Sequence, residues 1–221
     1  MTERSLREQR REQRRALSRD QILDSAEAVF AREGFHQASL REIAERAEFS
    51  VGTVYGFFTG KDEIYREIFL RRAAEFMPGM ERILASALPP RRQLTELADW
   101  QVGFFRRFPR FGRLVLRGGA IAPPLADPPD DGRILENFRA SQRMQADLFR
   151  RGQEAGELRD GDPMLLARMF TGLISAFQMT ELDAEEPSPE AARVSLEQLH
   201  RVLEAAFVVG DASASPATGD T

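Results

Sequence analysis

The residues whose types and spacing bear most on function are gathered in Ser50-Val51-Gly52-Thr53-Val54-Tyr55-Gly56-Phe57-Phe58. At about 100° per residue Val51, Val54 and Phe58 share one sector of a helix with Tyr55 on its flank, and Gly52, Thr53, Gly56 and Phe57 fill the opposite sector. A glycine in a helix costs about 1 kcal/mol relative to alanine, and two of them four residues apart stack on one side. Such a flat face suits close approach to another surface, with hydroxyl groups beside it to form hydrogen bonds. Nothing comparable exists for catalysis. There is no cysteine, the only histidines are His36 and His200, and no G-x-G-x-x-G or H-E-x-x-H motif occurs. Gly60-Lys61-Asp62 lacks the glycine-rich loop and Ser/Thr of a phosphate-binding loop. The sequence therefore reads as a non-enzyme, with no metal or other cofactor.

Several elements must position that face. Ser39-x-x-Glu42 is a capping box ahead of Leu40, Ile43, Ala44 and Ala47, which recur at helical spacing. Ser50 caps the second helix after the break at Glu48-Phe49. Upstream, Ser18-x-x-Gln21 is another capping box for a helix carrying Ile22, Ala26, Val29 and Phe30, and Gly34 ends it with Phe35 folded back on Phe30. The core of the unit is then Ile22, Ala26, Val29, Phe30, Phe35, Leu40, Ile43, Ala44, Val51, Val54 and Phe58. Helix, short turn and a second short helix presenting its own outer face is the geometry that enters the major groove of DNA. Thr59-x-x-Asp62 predicts the cap of a fourth helix, a connecting helix that runs to Met77-Pro78-Gly79.

Composition bounds the rest. The 221 residues carry a net charge of −4, with arginine as the prevailing base and Lys61 as the only lysine. Residues 1–15 hold six arginines against three glutamates, whereas residues 16–66 are net acidic by three. Only the N-terminal arm is basic, and residues 1–17 read as a solvated, flexible arm or an extension of the next helix, able to reach backbone phosphate or the minor groove. The absence of an apolar leader or a membrane-length apolar run predicts a cytoplasmic protein with no membrane partner.

Beyond the connecting helix the pattern stays helical over 79–88, 91–107, 110–117, 131–155, 163–182 and 189–208, with Pro- and Gly-rich breaks and no strand alternation. Asp162-Pro163 and Ser188-Pro189 start the last two helices. Their apolar stripes, with Leu166, Phe170, Leu173, Leu196, Leu199 and Leu203, suggest a homodimer formed through a four-helix bundle. Trp100, Phe104, Phe108, Phe138, Met144, Phe170 and Phe177 are dense enough to line a mostly apolar ligand cavity, with the proline-rich stretch 122–131 as its rim. From Gly210 the tail is too small and polar to fold.

Residues 18–69 resemble the tetracycline-repressor (TetR) family of bacterial transcriptional regulators, through AREGF, SLREIAERAEFSVGTVYGFF and GKDEIY. The resemblance implies an all-α fold: an N-terminal three-helix helix-turn-helix DNA-binding domain (18–66), joined by a connecting helix to an all-helical effector-binding and dimerisation domain (67–209), with a disordered tail (210–221). It further implies a homodimer on a pseudo-palindromic double-stranded DNA operator, a repressor released by a small-molecule effector. Carried over residue by residue, it makes Ser39, Arg41, Ser50, Gly52, Thr53, Tyr55 and Lys61 DNA contacts, with the Tyr55 hydroxyl and the Lys61 ammonium on phosphates; Phe57, read from its own chemistry, joins them through contact of its ring with thymine methyls. Gly56-Phe57 departs from the family's commoner polar or basic residues and leaves few donors for reading bases. The rival reading is an all-helical interaction or ligand-binding protein with a vestigial helix-turn-helix, which the acidic balance of the motif favours.

Overall fold

The computed structural model describes residues 6–117, 132–183 and 189–210. The stretch 122–131 expected as a rim and the tail from 211 lie outside the described residues. Among those described there are nine α-helices and no strand, as the all-α expectation required: α1 (Leu6–Glu33), α2 (Leu40–Arg46), α3 (Val51–Tyr55), α4 (Lys61–Leu84), α5 (Pro90–Arg107), α6 (Pro109–Arg117), α7 (Arg133–Glu154), α8 (Pro163–Asp183) and α9 (Pro189–Phe207). The chain divides into two compact units, Met1–Phe76 with Phe105–Phe138, and Met77–Phe104 with Arg139–Thr221. Helices α4, α5 and α7 each carry residues of both.

In the first unit local chemistry sets each boundary of the motif. Gly34 ends α1 at φ 84°, its N–H donating to Phe30 O at 2.9 Å. The Phe35 ring lies 5.7 Å from that of Phe30, the apolar contact the glycine ending predicts. Ser39 Oγ accepts from Glu42 N–H at 3.2 Å to start α2, and Ser50 Oγ accepts from Thr53 N–H at 3.0 Å to start α3. Ile22, Ala26, Val29, Phe30, Ile43, Ala44, Val54 and Phe58 are buried together with Ala47, Ile64 and Ile68. Each large apolar side chain removed from water contributes about 1.5–3 kcal/mol.

Four boundaries differ from the sequence reading. First, α1 begins at Leu6, so Ser18 lies inside a continuous helix and residues 6–17 are helical and mostly exposed. Arginine, glutamate and glutamine are good helix formers and extend a helix already nucleated in the core. Second, α3 ends at Tyr55, and Val51 is 36% exposed instead of buried, because the sector argument extrapolated a longer helix; Phe35 and Leu40 are half-buried. Third, the cap before α4 is reversed. The Glu63 carboxylate accepts from Thr59 N–H at 2.6 Å and from the Thr59 hydroxyl at 2.8 Å. The bond from Thr59 N–H holds that carboxyl below its ordinary value. Fourth, α4 continues through Pro78 to Leu84. Pro78 is exposed, and the next residue, Gly79, is buried against the Trp100 ring, so packing offsets the lost backbone bond.

The second unit is a set of packed helices. Its centre includes three rings, Phe149, Phe170 and Phe207, with centroids 5.2–6.3 Å apart. Gly152 on α7 admits the Leu158 side chain. The connection between α7 and α8 is tied to the end of α9 by Arg159 N–H to Phe207 O at 2.8 Å and Val209 N–H to Glu157 O at 2.9 Å.

Candidate nucleic-acid interface

The turn between α2 and α3 is tight because Glu48 takes φ 59°, a left-handed conformation that glycine adopts at no steric cost. Phe49 N–H then donates to Ala44 O at 2.9 Å and sets the direction of α3. On these two helices Ser39, Arg41, Ser50 and Gly52 are exposed, Thr53 is half-buried, and Tyr55 is 57% exposed. The Arg41 guanidinium pairs with Glu45 at 2.9 Å one turn along α2, an exposed pair that a phosphate can displace at little cost. Ser50 Oγ lies 2.8 Å from Thr53 Oγ1, so the two hydroxyls support each other at the head of α3.

A methyl group at Gly52 would meet only Ser50 Oγ, at 3.8 Å. The fold leaves room for a side chain there. Gly56 is different: it is the C-cap of α3, and a Cβ would come 3.2 Å from Thr53 O. The helix face read as flat is therefore open at Gly52 and constrained by its own backbone at Gly56.

Two of the expected contact residues are engaged inside the unit. Lys61 Nζ donates to Phe35 O at 2.9 Å, His36 O at 3.1 Å and Ala38 O at 3.3 Å, and stands 4.6 Å from the centre of the Phe35 ring. An ammonium has three protons, and these carbonyls take them all. Where a phosphate contact was expected, the described contacts of Lys61 clamp the connection between α1 and α2. Phe57, expected on the reading face, follows the end of α3, is half-buried, and carries the Arg15 guanidinium 5.7 Å from its ring centre. The helical extension of α1 thus reaches the residue just past the Gly56 cap of the second motif helix, a placement that charge pattern alone did not reveal.

Sequence reasoning also missed a buried ion pair. Arg72 donates to Glu27 Oε2 from Nε at 3.1 Å and Nη2 at 2.8 Å, with both side chains almost wholly buried, and its guanidinium lies 3.9 Å from the Phe108 ring centre. Arg71 extends the cluster to Asp24 at 2.7 Å. Glu27 has no sequence signal beyond a carboxylate set among Ala26, Ala28 and Val29. Tyr65, packed against Phe30, Phe35 and Phe69, has its hydroxyl pushed up to about 12 by burial.

The expected ligand-lining residues are distributed over both units. Phe108 belongs to the first unit, under Arg72 and Arg107, and half-buried Phe138 also falls there. In the second unit Trp100 leans on Gly79, Phe104 is buried 6.0 Å from it, and Met144 and Phe177 are half-buried. Phe170 is part of the closed three-ring centre. Helical spacing shows that an aromatic faces inward and is silent about its partner. The expected dimer residues divide by burial. Phe170, Leu199 and Leu203 are buried within the unit, and Leu166, Leu173 and Leu196 are half-buried, because the strongest apolar stripe faces the monomer's own interior. Among the described residues, the large apolar side chains left exposed on α8 and α9 are Leu165, Met169, Met179 and Val202, with Val209 just beyond. No helix of the described residues is long and apolar enough to cross a membrane, and among them no group of three or more His, Cys, Asp or Glu could hold a metal ion.

Residues 22–68 match the family model described as bacterial regulatory proteins, tetR family. The chain is 36% identical over 61 residues to the fatty acid metabolism regulator protein of Bacillus subtilis, covering 28% of this chain and 31% of that protein. It is 27% identical over 106 residues to the transcriptional activator FasR of Mycolicibacterium smegmatis, covering 48% of each. These alignments span 31% and 48% of the relatives' lengths. The structure of the ketosteroid transcriptional regulator KstR2 of Mycobacterium tuberculosis superposes with a TM-score of 0.74 at 22% identity, covering 87% of this chain and 95% of that one, and so shares the fold.

Proposed function

We propose that this chain, whose residues 22–68 match the tetR family of bacterial regulatory proteins, is a ligand-responsive transcriptional regulator, a repressor that binds a pseudo-palindromic operator as a homodimer. The observation that carries the reading is the open face of α3: an exposed Gly52 that the fold does not require, between hydroxyls at Ser50, Thr53 and Tyr55. Residues 18–66 are the DNA-binding domain in this reading, and residues 67–209 the effector-binding and dimerisation domain. Ser39 and Arg41 on α2 and the Tyr55 hydroxyl contact phosphate, while Ser50, Gly52 and Thr53 meet the groove. With so few donors, part of the specificity comes from DNA shape. Lys61 and Phe57 act from behind, by holding the connection before α2 and by seating the arginines of α1.

The dimer forms through the exposed apolar faces of α8 and α9, led by Leu165, Met169, Met179 and Val202. Two recognition helices per dimer then require two half-sites. The effector is a small, mostly apolar molecule, as the names of the fatty acid and ketosteroid regulators suggest by likeness. It releases DNA only to the extent that it prefers a dimer arrangement that misplaces the two α3 helices. Helix α4, which carries residues of both units, is the covalent route for that change.

Fluorescence anisotropy with DNA flanking the protein's own gene tests the proposal. Binding to a pseudo-palindrome by a dimer, falling steeply with salt and far tighter than to shuffled DNA, is expected. Equal affinity for both DNAs would favour the interaction-protein reading, which the net acidic motif supports.

A further inference from the structure

Among the described residues, the interior of the second unit holds polar groups of one kind only. Its buried polar side chains, Gln93, Gln101, Gln142, Gln145, Ser175 and Gln178, are 1–8% exposed and all uncharged. The buried charges Glu27 and Arg72 belong to the first unit. Several of these neutral groups form a chain between helices. Gln142 Nε2 donates to Thr171 Oγ1 at 2.9 Å, Thr171 donates to Gln145 Oε1 at 3.0 Å, Gln145 Nε2 donates to Ser141 Oγ at 3.2 Å, and Ser141 donates to Met80 Sδ at 3.6 Å. Three amide ends are left unpaired: Gln142 Oε1, Gln101 Nε2 and Gln178 Nε2. Turning an amide over exchanges its ends without removing the deficit.

The three glutamines lie along one stretch of the bundle. Trp100 packs on Gly79, and Ser141 bonds to the adjacent Met80, which brings the next residues, Gln101 on α5 and Gln142 on α7, to the same height. Gln142 bonds directly to Thr171 on α8, and Gln178 follows Thr171 by two helical turns on the same side. Native interiors pair nearly all their buried polar groups, and a cluster of unpaired amides is a place where a partner is accommodated.

We infer that the effector of this unit carries an uncharged hydrogen-bonding group, a carbonyl, amide or hydroxyl, on an otherwise apolar body, and that the amides of Gln101 and Gln142 receive it, with Gln178 two turns along α8 serving a second such group. The amide N–H of Gln101 donates to a ligand carbonyl and Gln142 Oε1 accepts from a ligand hydroxyl or N–H at that height, while the Gln178 amide, about 10 Å further along α8, meets a second polar group of a longer ligand. A carboxylate or ammonium is disfavoured because no buried side chain of opposite charge accompanies the layer. The inference rests on reading the second unit as the effector domain, and it narrows the ligand from apolar to neutral amphiphilic.

The test uses three probes on one ring skeleton, cyclohexanecarboxamide, cyclohexanecarboxylate and methylcyclohexane, with the full chain and its Gln101→Leu and Gln142→Leu variants. The readouts are probe affinity by NMR titration, Tm, and operator binding. The carboxamide is expected to bind the unsubstituted chain and raise its Tm at millimolar concentration, and the carboxylate is not. Each variant should weaken the carboxamide about tenfold, one lost hydrogen bond's worth of affinity, while methylcyclohexane is unaffected. Gln101→Leu removes an amide whose N–H is unpaired, and its ligand-free Tm should not fall, whereas Gln142→Leu also removes the bond to Thr171 and is compared at equal folded fraction. Carboxylate binding as tightly as carboxamide, carboxamide binding that ignores both substitutions, or no binding by the carboxamide would overturn the inference. Carboxamide binding as expected with operator affinity unchanged would instead leave the amide layer standing and remove the effector reading.

Discussion

Gly79 and Gly152 lie inside the second unit, where a methyl group would come within 2.1 Å of the Trp100 ring and 2.3 Å of the Leu158 side chain. Gly52 lies on the surface of α3, where the same methyl group would meet only Ser50 Oγ at 3.8 Å. The internal glycines are demanded by the monomer's packing. Nothing within the monomer demands Gly52, although a glycine in that helix costs stability. The difference separates residues that serve the fold from a residue that serves a surface the fold must meet. The same division holds for the motif's cation, because Lys61 serves the fold by clamping three carbonyls.

The largest effect should come from filling an internal glycine. Gly152→Ala forces Leu158 or the α7 backbone to move and should destabilise by about 1–3 kcal/mol, read as a lower midpoint in urea. An unchanged midpoint would mean that the Leu158 contact yields freely. Lys61→Met should cost about 1–2 kcal/mol through the lost charge-assisted bonds. In the folded protein it should leave the salt slope of DNA binding unchanged. A slope flattened by about one would put the ammonium back on a phosphate and blur the contrast. Glu48→Gly relieves the left-handed backbone in the turn and should stabilise by about 0.5–1 kcal/mol, with operator affinity intact because the turn geometry is kept. A loss of stability would show that the Glu48 side chain holds the turn.

Much of the motif was legible in sequence because its signals are local. The Ser39 and Ser50 caps, the Gly34 ending with its Phe30–Phe35 contact, and burial at Ile43, Val54 and Phe58 each depend on residues a few positions apart. What was not legible depends on distant partners. Lys61 is separated by more than twenty residues from the carbonyls it binds, and Glu27 by forty-five from Arg72. Proline alone predicts a break at Pro78, and only the fit of Trp100 against Gly79 explains a helix that continues. On α8 and α9 the apolar pattern located the helices, yet the outward residues Leu165, Met169 and Val202 could be told from inward Phe170 and Leu203 only by burial.

The smallest change in the fold carries the most direct test. Gly52→Ala should leave the monomer as stable or more stable by up to about 1 kcal/mol, since alanine favours the helix and has room. Operator affinity of the same variant, measured by anisotropy beside its urea midpoint, should fall by an order of magnitude or more as the methyl group holds α3 away from the DNA. Undiminished operator binding in a protein of equal or greater stability would contradict the account and detach the open face of α3 from DNA.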